Sequence, residues 1–428
     1  MMPSPTVLHI TADFPDPLSP AKTAAIAKLV GATAGYRHIV YSLNRVSSWG
    51  GVHSLQFADD RVAVAYGAPQ WGVLLATRLG AVARWIIDDL STRQWMPDAV
   101  QAHKLTIEGL IARPVARHFG VPLLCSLQAK TDVKILRARP DLRAQFGQIW
   151  HGARHAFPFS PRARDTAAAL LGPRSGPTTL LPCITEANAM RRAAVARGPR
   201  IVSIFRLDDH RGKNANTLIR AVAAAHRQIP DLSLDIYGAG RPRSFFELSR
   251  IIESHSAQQY VSLKGPIPHA SVQDTIACYA ALAMPTLRES YGMVFAEALL
   301  AGVPILHTRG WGLHGLYRDA DIGYACADPT SHREVAQGIV TILSNEESLK
   351  SRIAELQYSG ALDILRRDGI VEAYRTALAR ALGSATLPTS TPAPASVEAT
   401  NDGRRIGSVA GTEVGSGVLW PESADGRG

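Results

Sequence analysis

Cysteine is scarce in this 428-residue chain. Its four residues, at 125, 183, 278 and 326, form no Cys-x-x-Cys pair and show no metal-ligand spacing. That excludes a disulfide framework and a zinc finger, and Cys125 and Cys278, in apolar surroundings, are expected to be reduced core residues. No apolar run reaches the roughly 18 residues needed to span a bilayer. The start, Met-Met-Pro-Ser-Pro-Thr-Val-Leu-His-Ile, has no basic region ahead of an apolar one and reads directly into a strand. No signal peptide is therefore expected, and the reading is cytoplasmic. Aromatic residues make up only 7% of the chain. No basic stripe is interleaved with them, which argues against a nucleic-acid partner. Gly238-Ala239-Gly240 follows a strand as a dinucleotide fingerprint would, but Arg243 occupies the place of the third glycine. An NAD site is therefore not expected.

What is present points to two α/β domains, since 428 residues exceed one ordinary core. The formal charge is +10, and the segment after Ser384 is net −2, leaving +12 on the rest. Such an excess suits a phosphorylated substrate or an anionic surface. Short apolar strands alternate with helical stretches in both halves. In the first, strands read at 7–10, 38–43, 61–65, 99–102 and 122–127, with helices at 23–30, 71–90 and 106–119. In the second, strands read at 200–205, 232–237, 261–263, 282–285 and 304–307, with helices at 217–226, 272–280, 293 onward and 370–382. This rhythm predicts twin doubly wound parallel sheets, with ligands beyond the C-terminal strand ends. From 384 to 428 the Ser, Thr, Pro, Ala and Gly content predicts disorder. The basic, Trp-containing stretch 71–95, with Arg78, Arg84 and Arg93, leaves peripheral membrane contact open beside its plainer reading as a core helix.

The densest signal is Arg288-Glu289-Ser290-Tyr291-Gly292-Met293-Val294-Phe295-Ala296-Glu297, continued by Ala298-Leu299-Leu300-Ala301-Gly302-Val303-Pro304. Glu289 falls in the loop leaving a buried strand. Gly292 permits a tight turn that points the N–H groups of Met293 and Val294 outward at a helix start, where unpaired donors and the helix dipole attract anions. Glu297 lies one turn on. Carboxylates beside an anion site suit a ligand bearing both phosphate and hydroxyls. A second element, Phe205-Arg206-Leu207 followed by Lys213-Asn214-Ala215-Asn216-Thr217-Leu218-Ile219, puts cations at a strand end and before a helix. Such cations can neutralise a departing diphosphate.

The first stretch resembles the Glu-x7-Glu signature of GT-B glycosyltransferases of family 4. The second is similar to that family's Gly-Arg-Leu-x3-Lys-Gly-x2-Thr-Leu-Ile element, with Phe205 in place of the glycine and a loop two residues longer. The resemblance implies a GT-B fold, two Rossmann-like domains facing a cleft: an acceptor domain at 1–190, a donor domain at 197–365 and a helix at 366–383 crossing back. It implies a retaining, metal-independent hexosyltransferase that moves a sugar from a nucleotide diphosphate to a hydroxyl of a sugar- or lipid-linked acceptor, in polysaccharide or glycoconjugate synthesis, with no cofactor. Glu289 would orient the sugar, Glu297 grip the ribose, and Arg206 and Lys213 hold the diphosphate. Ser290, Gly292, Met293 and Val294 would complete the donor site, with Gly238 and Gly240 near the base or ribose. Lys213 keeps register with the following helix and Arg211 keeps its spacing from Arg206, so both stay in contention. The Gly310–Gly315 loop reads equally as a phosphate cradle or a surface turn. Acceptor-side candidates are His103, Gln128 (where family members often carry a histidine), Lys22 and Thr23, the last also readable as a helix N-cap. Other GT-B enzymes, an epimerase or a phosphorylase, and a non-catalytic sugar-nucleotide scaffold are the alternatives.

Overall fold

The structure is a computed structural model. It describes residues 4–383 apart from 48–49, 69–71, 73, 194–195 and 197, so the segment 384–428, expected to be disordered, lies outside the described residues. The chain divides into two compact units. Of the described residues, the first holds those in 4–126, 141–156 and 375–383, and the second those in 127–140 and 157–374.

The first sheet has seven strands: β1 (Thr6–Thr11), β2 (Arg37–Val46), β3 (Val52–Ala58), β4 (Arg61–Gly67), β5 (Ala99–Ala102), β6 (Leu123–Leu127) and β7 (His155–Pro158). Their order is β3-β4-β2-β1-β5-β6-β7. Strand β1 is parallel to both neighbours, with Ile10 beside Tyr41 and Ala102. The chain runs outward from β1 through β2 and then returns to β5 on the other side. The strand order therefore reverses between β1 and β5, and the loops leaving them open a crevice there. β3 is the antiparallel edge, and sequence reading passed over it because most of Val52–Ala58 is exposed and carries no alternating apolar face.

The second sheet is parallel throughout: β8 (Arg200–Ile204), β9 (Ser233–Tyr237), β10 (Val261–Gly265), β11 (Ala281–Ala283), β12 (Ile305–Thr308) and β13 (Gly323–Cys326). Its order, β10-β9-β8-β11-β12-β13, puts the reversal between β8 and β11. Ile201, Val202, Leu234, Ile236, Leu282 and Leu306 are fully buried. Continuous apolar strands of this kind belong to a sheet covered on both faces.

Several boundaries shift. The helix expected at 71–90 starts at Leu75, after a left-handed Leu74, and runs to Thr92. It buries Leu79, Val82, Ile86 and Leu90, while Trp85 packs edge-on against Tyr41 and Arg93 stacks over Trp95 at 4.8 Å. The apolar face of this stretch thus lies inside the fold. The helix expected over 272–280 ends at Ile276. Cys278 then falls on the following turn and is exposed, not a core residue as its apolar neighbours suggested. The last helix is Arg367–Ala381. Among the described residues no helix is long and apolar enough to cross a membrane.

Candidate functional site

The loop leaving β8 is shaped by its neighbour. Phe205 N–H donates to Tyr237 O at 3.1 Å and Leu207 N–H to Ala239 O at 2.9 Å, so pairing with the β9 side continues past the strand ends. This approach needs glycine. A Cβ on Gly238 would stand 1.8 Å from Phe205 O, and one on Gly240 2.7 Å from Leu207 Cβ. The two glycines therefore seat the arginine loop, whatever else they contact.

Beyond them Asp208 gathers donors: Ser244 Oγ at 2.6 Å, Arg241 N–H at 3.0 Å and the Arg241 guanidinium at 3.4 Å. Arg206, largely exposed, is 3.6 Å away. The Ser244 hydroxyl first, then the Arg241 N–H, hold the Asp208 carboxyl down at about 2. A depressed carboxylate stabilises the fold fully above its unfolded value near 4, and that contribution is lost as pH falls through about 2. Asp208→Asn is expected to flatten the loss of stability between about pH 4 and pH 2, followed by circular dichroism during acid titration. Superimposable curves for the two proteins would remove this role.

The same loop is stapled to the one leaving β11. Asn214, left-handed at φ 60°, donates through Nδ2 to Pro285 O at 3.1 Å and Pro329 O at 2.6 Å, and Leu287 N–H donates to Gly212 O at 3.1 Å. Across this junction Lys213 Nζ meets Glu289 Oε2 at 2.5 Å, with both side chains mostly buried. Arg211 is directed elsewhere. It is exposed and 3.4 Å from Glu247, which also receives His210 and Arg243. Of the two competing cations, Lys213 is therefore the one joined to the glutamate.

Gly292 takes φ 78° and caps the helix Met293–Leu300 without a side-chain bond. A Cβ there would come within 2.5 Å of the Phe295 ring and 3.1 Å of Glu289 Cγ, so the turn packs Glu289 against the helix start. Phe295 N–H closes onto Gly292 O at 2.9 Å. The N–H groups of Met293 and Val294 have no acceptor among the described residues, as the first turn of a helix requires. Glu297 is buried one turn further, with His269 Nδ1 3.8 Å from its carboxylate. Ser290 Oγ accepts from Lys130 N–H at 3.3 Å. Gly312 N–H donates to Glu289 O at 3.3 Å, which makes the Gly310–Gly315 loop a support for the glutamate. Asp208, Asn214 and His269 escaped sequence reading because their partners lie tens of residues away.

Three acceptor-side candidates lie in the first unit, and a fourth, Gln128, groups with the second. Lys22 Nζ donates to Asp16 Oδ2 at 2.7 Å, Ser42 Oγ at 2.9 Å and Leu43 O at 3.0 Å. Its three protons are thus committed inside the protein, and it fastens a loop. Burial pushes the Asp16 carboxyl up, but the bonds from Lys22, Ser42 and Asn44 outweigh it and leave Asp16 below the ordinary range. Thr23 is not the N-cap. The helix begins at Ala25 behind Ala24, and Thr23 Oγ1 only accepts from Ala25 N–H at 3.4 Å. Gln128 N–H donates to Asp132 at 2.8 Å, and His103 is buried beside His9.

Comparison with known proteins adds names to this geometry. Residues 188–357 match the family model described as glycosyl transferases group 1. The GtfA subunit of the UDP-N-acetylglucosamine–peptide N-acetylglucosaminyltransferase of Streptococcus pneumoniae is 31% identical over 123 residues, 28% of this chain and 24% of that one. This chain thus spans about a quarter of the length of that relative. D-inositol 3-phosphate glycosyltransferase of Paenarthrobacter aurescens is 24% identical over 53% of this chain and 59% of its own. Among solved structures, sucrose-phosphate synthase from Thermosynechococcus elongatus superposes with TM-score 0.61 at 16% identity, covering 88% of this chain and all of that one. Anabaena HepE in complex with UDP gives 0.61 at 14% identity over the same shares. The two parallel-sheet α/β units thus have the GT-B fold, and residues 188–357 carry the group 1 glycosyltransferase match.

Proposed function

We propose that this protein is a retaining glycosyltransferase that moves a sugar from a nucleoside diphosphate to a hydroxyl acceptor without a metal ion. The observation that carries the reading is the Lys213–Glu289 pair, closed at 2.5 Å over the β8/β11 reversal, beside the unpaired N–H groups of Met293 and Val294. A cation, two backbone donors and a carboxylate at one strand-order reversal match a ligand with a diphosphate at one end and hydroxyls at the other. Lys213 and Arg206 take the diphosphate charge that a divalent ion would otherwise meet. Glu289, released from Lys213 by the incoming phosphate, accepts from sugar hydroxyls, and Glu297 accepts from the ribose. The anomeric carbon–oxygen bond to the phosphate breaks and the bond to the acceptor oxygen forms on the same face. The acceptor proton passes to the departing phosphate oxygen. The names of the relatives support a nucleotide-sugar donor, with product in a polysaccharide or glycoconjugate.

Calorimetry of the full chain with UDP and with GDP tests the reading, followed by release of the nucleotide from UDP-glucose and UDP-N-acetylglucosamine in the presence of EDTA. One nucleotide is expected to bind at about 1 μM to 1 mM, the common range for enzyme substrates. Failure of both to bind overturns the proposal. Turnover that EDTA abolishes and magnesium restores would overturn its metal-free part.

A further inference from the structure

A run of imidazoles crosses the interior of the first unit. His38 Nε2 lies 2.9 Å from the Thr33 carbonyl, His38 Nδ1 2.8 Å from His9 Nε2, and His9 Nδ1 3.0 Å from His103 Nε2. The three side chains are 8%, 0% and 1% exposed, in that order. Five of their six ring nitrogens are thereby engaged. The sixth, Nδ1 of His103, has no partner among the described residues. It stands just past β5, at the β1/β5 reversal, where Asp13 and Lys104 also pair at 2.7 Å.

The chemistry of the two ends settles every proton. A carbonyl only accepts, so His38 must carry its proton on Nε2 and accept on Nδ1. His9 then donates from Nε2 and accepts on Nδ1, and His103 donates from Nε2. His103 Nδ1 is left as a bare lone pair. Burial keeps all three rings neutral, outweighing the pull of Asp13 on His103 and of the Thr33 carbonyl on His38. His103 is held down at about 3 and His38 at about 4, and His9 also lies well below the ordinary histidine range. Because the far end is a carbonyl, the chain cannot export a proton. It fixes a tautomer and does not relay charge.

Building on the transferase reading, we propose that His103 is a fixed hydrogen-bond acceptor for a hydroxyl of the sugar acceptor, with His9 and His38 as positioning residues. A neutral lone pair welcomes an O–H and repels a phosphate oxygen. Beside it Lys104 is held by Asp13 at 2.7 Å and by Glu108 at 3.5 Å. This separates the site chemically from the cationic one in the second unit.

The tautomer is read directly by long-range proton–nitrogen correlation spectra of the full chain labelled with 15N-histidine. Protons on Nε2 of all three rings are expected, and adding glucose with UDP should move the His103 Nδ1 signal. A proton found on His103 Nδ1, or no movement with glucose or N-acetylglucosamine, overturns the proposal. Two variants supply a functional readout. His103→Gln keeps a donor near the Nε2 position and loses the Nδ1 acceptor, whereas His103→Asn places its amide oxygen near Nδ1. With UDP-glucose as donor and glucose as acceptor, His103→Gln should lower kcat/KM about tenfold, with UDP affinity within about twofold of the parent. His103→Asn should recover much of that loss. Equal turnover by His103→Gln, with UDP bound, overturns this proposal alone. Absence of binding of both UDP and GDP by the unaltered chain brings down the transferase reading and this one with it.

Discussion

Glu289→Gln and Lys213→Ala are each expected to lower nucleotide-sugar turnover by about 10²- to 10³-fold, the usual loss when one preorganised charge-stabilising group is removed. Glutamine keeps the shape and one acceptor oxygen but gives up the charge that holds Lys213 at 2.5 Å. Alanine removes the cation that would meet the diphosphate in the proposed reaction. The two losses should differ in kind. Lys213→Ala should weaken UDP binding measured by calorimetry, whereas Glu289→Gln should spare it and lower kcat, because in the proposed complex its partner is the sugar. Both side chains retain some contact with solvent, so either variant should fold. In the double variant the losses should fall short of adding, because the residues act as a unit. Near-parental turnover by Glu289→Gln would sink the assignment of this glutamate.

The second large effect concerns the fold beneath that site. In Gly238→Ala the new methyl carbon would lie 1.8 Å from Phe205 O, and backbone cannot yield as a side chain can. The arginine loop and the β9 exit must separate, breaking the Phe205–Tyr237 and Leu207–Ala239 bonds. A destabilisation of about 3 kcal/mol or more of the second unit is expected, equivalent to roughly 6 to 12 °C in its Tm. Scanning calorimetry reads this directly, and nucleotide binding should weaken in parallel as Arg206 and Lys213 lose their seat. An unchanged transition would show that the loops part without cost.

The parallel strands were legible because strands buried on both faces spell themselves as apolar runs, as in Ile201-Val202-Ser203-Ile204. The helix start at Gly292 was legible for a related reason, a glycine followed by an unbroken apolar stretch. The sequence stopped short where the deciding partner was distant. Asn214 reaches Pro285 and Pro329 across 71 and 115 residues, and no local pattern announces such a bond. In sequence, Lys22 is an acceptor-side candidate from its place in the first loop. Its saturation by Asp16, Ser42 and Leu43 depends on how β1 and β2 lie side by side. Cys278 misled for the opposite reason, since apolar neighbours in sequence do not say where a helix will stop. The three histidines stand at 9, 38 and 103, and only the sheet order brings them into line.

The internal neutralisation of Lys22 has one more consequence. With that ammonium matched to Asp16, and three imidazoles uncharged, these five side chains add no net charge beside β1. The second unit differs, since Arg206, Arg211, Arg241 and Arg243 stand well out into water. Mobile counterions shrink the reach of such exposed charges to about 8 Å at physiological ionic strength. Added electrolyte therefore erodes whatever attraction these four arginines exert on a dissolved anion.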